Sequence, residues 1–203
     1  MNGDILFADL MNNIAKIATG LFSYIDDDLK STIKNIKITC NNIGEMVPQN
    51  AQYVIAAGLY TETNAAGGEI VVNGFEINVN NIYAASSYNQ SLYGVACAAG
   101  AVGGYQQSNL RIANAIVNIK GDISAINAEE SSADADAYGL CYKAHAMYNC
   151  IVDVGGNITA QAAPNGFYAS YNPYAEITAA GMGYEIRTTY NLETFNATDT
   201  GIS

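Results

Sequence analysis

The sequence predicts an all-β fold, a parallel β-solenoid in which one short unit is wound again and again, and two observations predict it. The phrase "IVNIKGDISA" at 116–125 returns as "IVDVGGNITA" at 151–160, with its polar positions kept as firmly as its apolar ones. A marker of Gly or Asn, then Asp or Asn, then Ile recurs at Gly3-Asp4-Ile5, Asn41-Asn42-Ile43, Asn80-Asn81-Ile82, Gly121-Asp122-Ile123 and Gly156-Asn157-Ile158, and decays into Tyr190-Asn191-Leu192. Its apolar residues lie 38, 39, 41, 35 and 34 residues apart. Such a period marks a stacked architecture, because a unit of that size buries its apolar face only against the next copy.

Residues 1–203 therefore read as one domain of five to six coils. Residues 1–35 have two readings. Phe7, Leu10, Met11, Ile14, Ile17, Leu21, Ile25, Leu29 and Ile33 follow the i, i+3/i+4 spacing of an amphipathic helix, which would cap the exposed strand edges of the stack. Against that, Ala18-Thr19-Gly20-Leu21-Phe22 matches Ala56-Ala57-Gly58-Leu59-Tyr60 at the repeat separation, so a first coil is the favoured reading and a helical cap the alternative. Further coils fall near 36–75, 76–115, 116–150 and 151–184, with a terminal coil at 185–203. Before each marker runs a β-branched alternation of period two: Ile36-Lys37-Ile38, Ile77-Asn78-Val79, Ile116 through Ile119, and Ile151 through Val154. A second marker, Gly before an apolar residue, is placed at Gly20-Leu21-Phe22, Gly58-Leu59-Tyr60, Gly94-Val95-Ala96, Gly139-Leu140-Cys141 and Gly166-Phe167-Tyr168. Three short strands per coil, joined by turns of uneven length, accommodate both markers.

Strands of successive coils would stack about 4.8 Å apart, so that equivalent residues sit above one another. Asp4, Asn42, Asn81, Asp122, Asn157 and Asn191 are then expected to form a structural ladder at a corner, where Asn and Asp tolerate left-handed backbone and bond to turn amides. The neighbouring isoleucines are expected to be buried.

"GDISAINAEESSADADAYGLCYKA" and "GGNITAQAAPNGFYASY" resemble the coils of autotransporter-type passenger domains and other bacterial surface adhesins. The resemblance covers most of the chain, but its motifs encode coil geometry and not a site. It implies a right-handed parallel β-helix, displayed outside the cell as a stalk or adhesin segment. Such passengers have a signal peptide, a membrane β-barrel segment and many more coils, none of which this sequence displays.

Composition narrows the partners. Half of the residues are hydrophobic and only 13% are charged, enough for an ordered core without metal or disulfide. A formal charge of −11 repels nucleic-acid phosphate and anionic membrane surfaces, which excludes nucleic acid as a partner, and no apolar run is long enough for direct membrane insertion. Cys40, Cys97, Cys141 and Cys150 lack any C-x-x-C pair and are expected to be mostly buried thiols, with Cys141 and Cys150 unjoined.

No catalytic residue, cofactor-binding residue or metal ligand is assigned. His145 is the only histidine and has no evident orienting partner. Asp26-Asp27-Asp28 and the group Glu129, Glu130, Asp134 and Asp136 lack the spacing of a calcium loop and read as solvated acidic loops. Tyr168, Tyr171 and Tyr174, with Tyr138, Tyr142 and Tyr148 one coil earlier, could stack on carbohydrate or grip a host surface protein, or else stabilise the wall of the stack. The sequons at Asn89, Asn157 and Asn196 carry no weight in so Asn-rich a chain. The expected function is non-enzymatic: a surface-exposed structural or adhesive segment that extends a rod, displays loops such as "EESSADADA" and "APNGFYASYNPY", and self-associates through uncapped ends or continues into neighbouring coils. The alternative is a polysaccharide-active β-helix enzyme or a carbohydrate-binding protein similar to phage tailspikes.

Overall fold

The computed structural model describes residues 16–22, 31–61, 69–87, 94–103, 109–128, 133–162, 177–183 and 185–186. In chain order the strands are β1 (Lys16–Thr19), β2 (Ser31–Thr39), β3 (Asn42–Gly44), β4 (Tyr53–Ala57) and β5 (Glu69–Val79). They continue with β6 (Asn81–Ser86), β7 (Gly94–Ala99), β8 (Asn109–Ile119), β9 (Ile123–Asn127) and β10 (Ala133–Tyr138). The last are β11 (Lys143–Ala144), β12 (Ala146–Val154), β13 (Ile158–Ala162), β14 (Ile177–Ala180) and β15 (Glu185–Ile186). The described residues contain no helix.

The protein is all-β and every strand pairing is parallel. Three sheets account for all but two short strands: β1-β4-β7-β10-β14, β2-β5-β8-β12 and β3-β6-β9-β13, with β11 pairing β15 apart. Each strand thus pairs with its counterpart one repeat away, never with its neighbour in sequence, an order compatible with a solenoid. Ile43 pairs Ile82, Ile82 pairs Ile123 and Ile123 pairs Ile158, so the marker isoleucines align. The first three are fully buried and Ile158 is half-buried.

The first 35 residues are described in part. Residues 16–19 form strand β1, paired to β4, and Phe22 bridges Tyr60, so this stretch is strand where the helical alternative placed a cap. The rest of that helical series before Lys16 and between 23 and 30 lies outside the described residues.

The strands of the second sheet are the longest, and each bends once. At Asn35, Gly74, Asn114 and Asn149 φ is +54°, +68°, +52° and +49°, and the pairing register puts these four positions in one column. A left-handed residue inside a strand reverses which face the following side chains take. The core-facing residues accordingly run Ile70, Val72 and then Phe75, Ile77, Val79 in β5, and Leu110, Ile112 and then Ala115, Val117, Ile119 in β8. Asn and Gly occupy the bend because they alone enter this region at little cost.

The second marker needs correcting. Gly58, Gly100, Gly139 and Gly181 form the column: a Cβ on each of the first three would overlap the carbonyl oxygen of the next glycine above. It would also come within 2.7 Å of Ile77 at Gly58 and 2.9 Å of Val117 and Val152 at Gly100 and Gly139. The third copy is therefore Gly100, not Gly94, which opens β7, and the fifth is Gly181; Gly166 lies outside the described residues. The corner loops differ in length, so counting at a constant period lands on the wrong glycine. Glycine recurs here so that the backbone of one layer can close on the next and let the inward aliphatic of the second sheet fill the corner.

This packing predicts unequal effects of one substitution. Gly139→Ala is expected to destabilise the protein by about 1–3 kcal/mol through overpacking. Gly181→Ala, where nothing lies within 4 Å of the added carbon, should stay within about 0.5 kcal/mol. Urea unfolding of the two variants checks this; equal midpoints would contradict it.

Candidate functional site

The expected ladder column is linked from layer to layer. Asn81 Nδ2 donates to Asn42 Oδ1 at 2.8 Å, the Asp122 backbone N–H donates to Asn81 Oδ1 at 2.9 Å, and the Asn157 N–H donates to Asp122 Oδ1 at 2.7 Å. The recurring chemistry is a side-chain oxygen taking the amide proton of its counterpart above. Asp and Asn both offer that oxygen, which explains why either one fills the position. A Cβ at Gly121 would strike Asn81 Oδ1 and one at Gly156 would strike Asp122 Oδ1, so the glycine before the ladder residue clears room for the side chain below. Asp4 and Asn191 lie outside the described residues.

The left-handed backbone expected at this corner is found elsewhere. Among the described non-glycine residues it occurs at Asn35, Asn114 and Asn149, in the bend of the second sheet. There a second ladder runs: Asn114 Nδ2 donates to Asn73 Oδ1 at 3.0 Å, and Asn149 Nδ2 to Asn114 Oδ1 at 2.8 Å. A third link joins Asn118 Nδ2 to Asn78 Oδ1 at 2.9 Å on the outer face. Sequence reading missed both columns, although the shift of the apolar alternation from even to odd positions around Asn73 to Phe75 and Asn114 to Ala115 was a usable signal.

Charges on the same outer face are spent between layers too. Lys37 meets Glu76 one layer away at 2.9 Å, and Arg111 meets Glu69 at 2.8 Å. Hydrogen bonds from Asn78 and then Lys37 hold the Glu76 carboxyl below its usual range. Beside this pair, Ile116 and Ile151 stand in register and exposed, at 41% and 55%.

The middle strands of the first sheet, β4, β7 and β10, are buried on both faces. Ile55, Ala57, Cys97, Ala99 and Tyr138, on the side away from the main core, form a second apolar cluster with Tyr142 and Ala180 against it. Asp134 and Asp136 lie in β10, 1% and 3% exposed, which corrects their reading as part of a solvated acidic loop. Alternation along β10 places both on the face of Tyr138, and burial together with the Asp136 charge pushes the Tyr138 phenol far above its ordinary value. Glu129, Glu130 and Asp26 through Asp28 lie outside the described residues.

Of the two readings of the aromatics, Tyr138 fits the one that builds the wall of the stack. Tyr138 is fully buried and packs on Tyr142 with ring centroids 5.6 Å apart at 59°, and Lys143 Nζ sits 5.9 Å from the Tyr142 ring. Tyr148 belongs to another sheet, half-buried against Ala113 and Ala146. The three do not make one binding face. Tyr168, Tyr171 and Tyr174 lie outside the described residues.

His145 is half-buried, and its backbone N–H donates to the Leu110 carbonyl at 2.7 Å. None of the four cysteines is in a disulfide; three are buried and Cys150 is half-buried. Burial pushes the Cys141 thiol up to about 12 and the Cys150 thiol up to about 11, so neither supplies a thiolate at neutral pH. Among the described residues no three His, Cys, Asp or Glu side chains converge to hold a metal ion, and no helix is long and apolar enough to cross a membrane. Compared with known proteins, the chain matches no family model, no curated protein and no solved structure.

The ladder makes a direct prediction. Asn81→Leu leaves the Asp122 N–H without its acceptor and is expected to cost about 1–3 kcal/mol. Asn157→Leu, at an exposed position, should cost less. Chemical denaturation of both variants measures the difference, and an Asn81→Leu protein as stable as the parent would contradict the role given to the column.

Proposed function

We propose that the chain is a right-handed parallel β-helix of five to six coils, acting as a non-enzymatic, surface-exposed structural or adhesive segment that extends a rod and displays loops. One observation carries the reading: the polar side chains that recur in the sequence are spent on bonds between layers. The asparagine columns, the Lys37–Glu76 pair and the Arg111–Glu69 pair all join one strand to its counterpart in the adjoining repeat. An enzyme of this architecture would instead gather carboxylates and a base in one open groove. Here Asp134 and Asp136 are buried in strand β10, on the face of Tyr138, and not gathered in an open groove.

Right-handed winding is supported by the strong preference of parallel strand-to-strand crossovers for that hand. A surface location rests on the likeness to adhesin coils. It suits thiols that burial keeps unreactive in an oxidising medium.

Two assays test the role. Intact producing cells treated with a membrane-impermeant amine reagent should label this protein, and the purified protein should release no new chain ends from acidic polysaccharides. Labelling only after lysis would remove the surface role, and shortened polysaccharide would favour the enzyme.

A further inference from the structure

We infer that the chain is its own partner at the β12 edge: residues 188–196 run along β12 as a further parallel strand, with Asn191 next in the bend column after Asn149. The inference rests on the solenoid reading and says what covers one of its edges.

Among the described residues β12 is an edge strand of the second sheet, paired to β8 on one side. Its core-facing Cys150, Val152 and Val154 are only half-buried, whereas the matching Ala115, Val117 and Ile119 of β8 are buried. The chain returns to this edge. β11 runs into β12 through His145 alone, whose N–H donates to the Leu110 carbonyl, so the two strands form one line beside β8. β15 pairs with β11 in parallel, Glu185 beside Lys143 and Ile186 beside Ala144. It is thus placed as the opening of the next strand of the second sheet. The order of elements agrees, since β10, Gly139 and β11 are repeated by β14, Gly181 and β15.

The segment beyond β15 lies outside the described residues, and its sequence fits the edge. Continued at the offset of β15 on β11, position 188 falls beside Ala146 and position 196 beside Val154. Tyr190 then falls beside Tyr148, Asn191 beside Asn149 and Leu192 beside Cys150. The bend makes this match demanding. Asn149 has φ +49°, and a strand that pairs with β12 along its whole length must bend at the same residue, because beyond the bend the side chains and amides face the other way. Asn35, Gly74, Asn114 and Asn149 hold that position in the layers below, and Asn191 supplies it again. Asn149 gives its Nδ2 to Asn114 Oδ1, so its own Oδ1 is the acceptor that a further asparagine in the column requires. Counting markers puts Asn191 in the corner ladder; the pairing of β15 moves it to the bend. Of the core-facing positions, Leu192 is apolar, whereas Thr189, Thr194 and Asn196 are polar. Such a layer covers an apolar edge and turns polar side chains to what lies beyond, as the capping repeats of solenoids do.

Hydrogen exchange of the full chain, read by mass spectrometry, tests the pairing. Amides of residues 188–196 should exchange at least about tenfold more slowly than in an unstructured peptide, at every protein concentration. Free exchange there, with β5 and β8 protected, overturns the pairing and leaves the solenoid reading standing. Free exchange in β5 and β8 as well overturns both. Slowing that appears only at high concentration gives the edge to a second copy and overturns the inference. Leu192→Cys tests the register. Neighbours in register lie about 4.8 Å apart, within the span of a disulfide, so mild oxidation should join the introduced thiol to Cys150 of the same chain. Glu193→Cys, which falls beside Ile151, should give no such link. Equal yields from the two variants, or no link from either, overturn the register.

Discussion

Parallel strands stacked in register, layer on layer, are the constraint from which the rest of this structure follows. At about 4.8 Å between layers, every position in a repeat is held against the same position above and below it. A residue type that suits the spacing once suits it in every layer, and one that fails once fails throughout. This is why the chain repeats its polar residues as strictly as its apolar ones. Isoleucine recurs at positions 43, 82 and 123 because that column is core, and Asn or Asp recurs beside it because the column needs an oxygen below each amide.

The same constraint decides where charge and chemistry can go. Opposite charges one layer apart attract and like charges repel, so Lys37 faces Glu76, and the later layers of that column carry Ile116 and Ile151. Amide ladders avoid the repulsion altogether, since Asn is at once donor and acceptor and can stack on itself. The result, among the described residues, is a wall of neutral polar bonds from layer to layer. The acidic residues drawn into strand β10, Asp134 and Asp136, are buried on the face of Tyr138, whose phenol is pushed up by burial and then by the Asp136 charge; they are not presented to solvent.

Much of this was legible in the sequence, and the failures have a common cause. The strand content, the period and the aligned isoleucines follow from alternation and spacing alone. The glycine column was found at Gly58 and Gly139 but misplaced at Gly94, because loop insertions at the corners change the period locally while the strands keep their register. Left-handed backbone was attributed to the wrong asparagine column, since residue type tells that Asn tolerates the conformation but not which Asn adopts it. The shift of apolar parity across Asn73 and Asn114 held that information. Asp134 and Asp136 read as solvated because sequence proximity to Glu129 and Glu130 suggested a loop, whereas the alternation of ADADAY is that of a strand. Tyr138, Tyr142 and Tyr148 stayed open between a binding surface and the wall of the stack, because sequence adjacency hides that they belong to different sheets.

The central claim is that residues one repeat apart, and not neighbours in sequence, hold one another in place. Long-range nuclear Overhauser contacts in the isotope-labelled protein test it most directly. The account predicts contacts linking Ile43 to Ile82, Ile82 to Ile123 and Ile123 to Ile158, with the cross-peak pattern of parallel strands. Contacts instead between consecutive strands, such as β5 with β6 in an antiparallel hairpin, would contradict it.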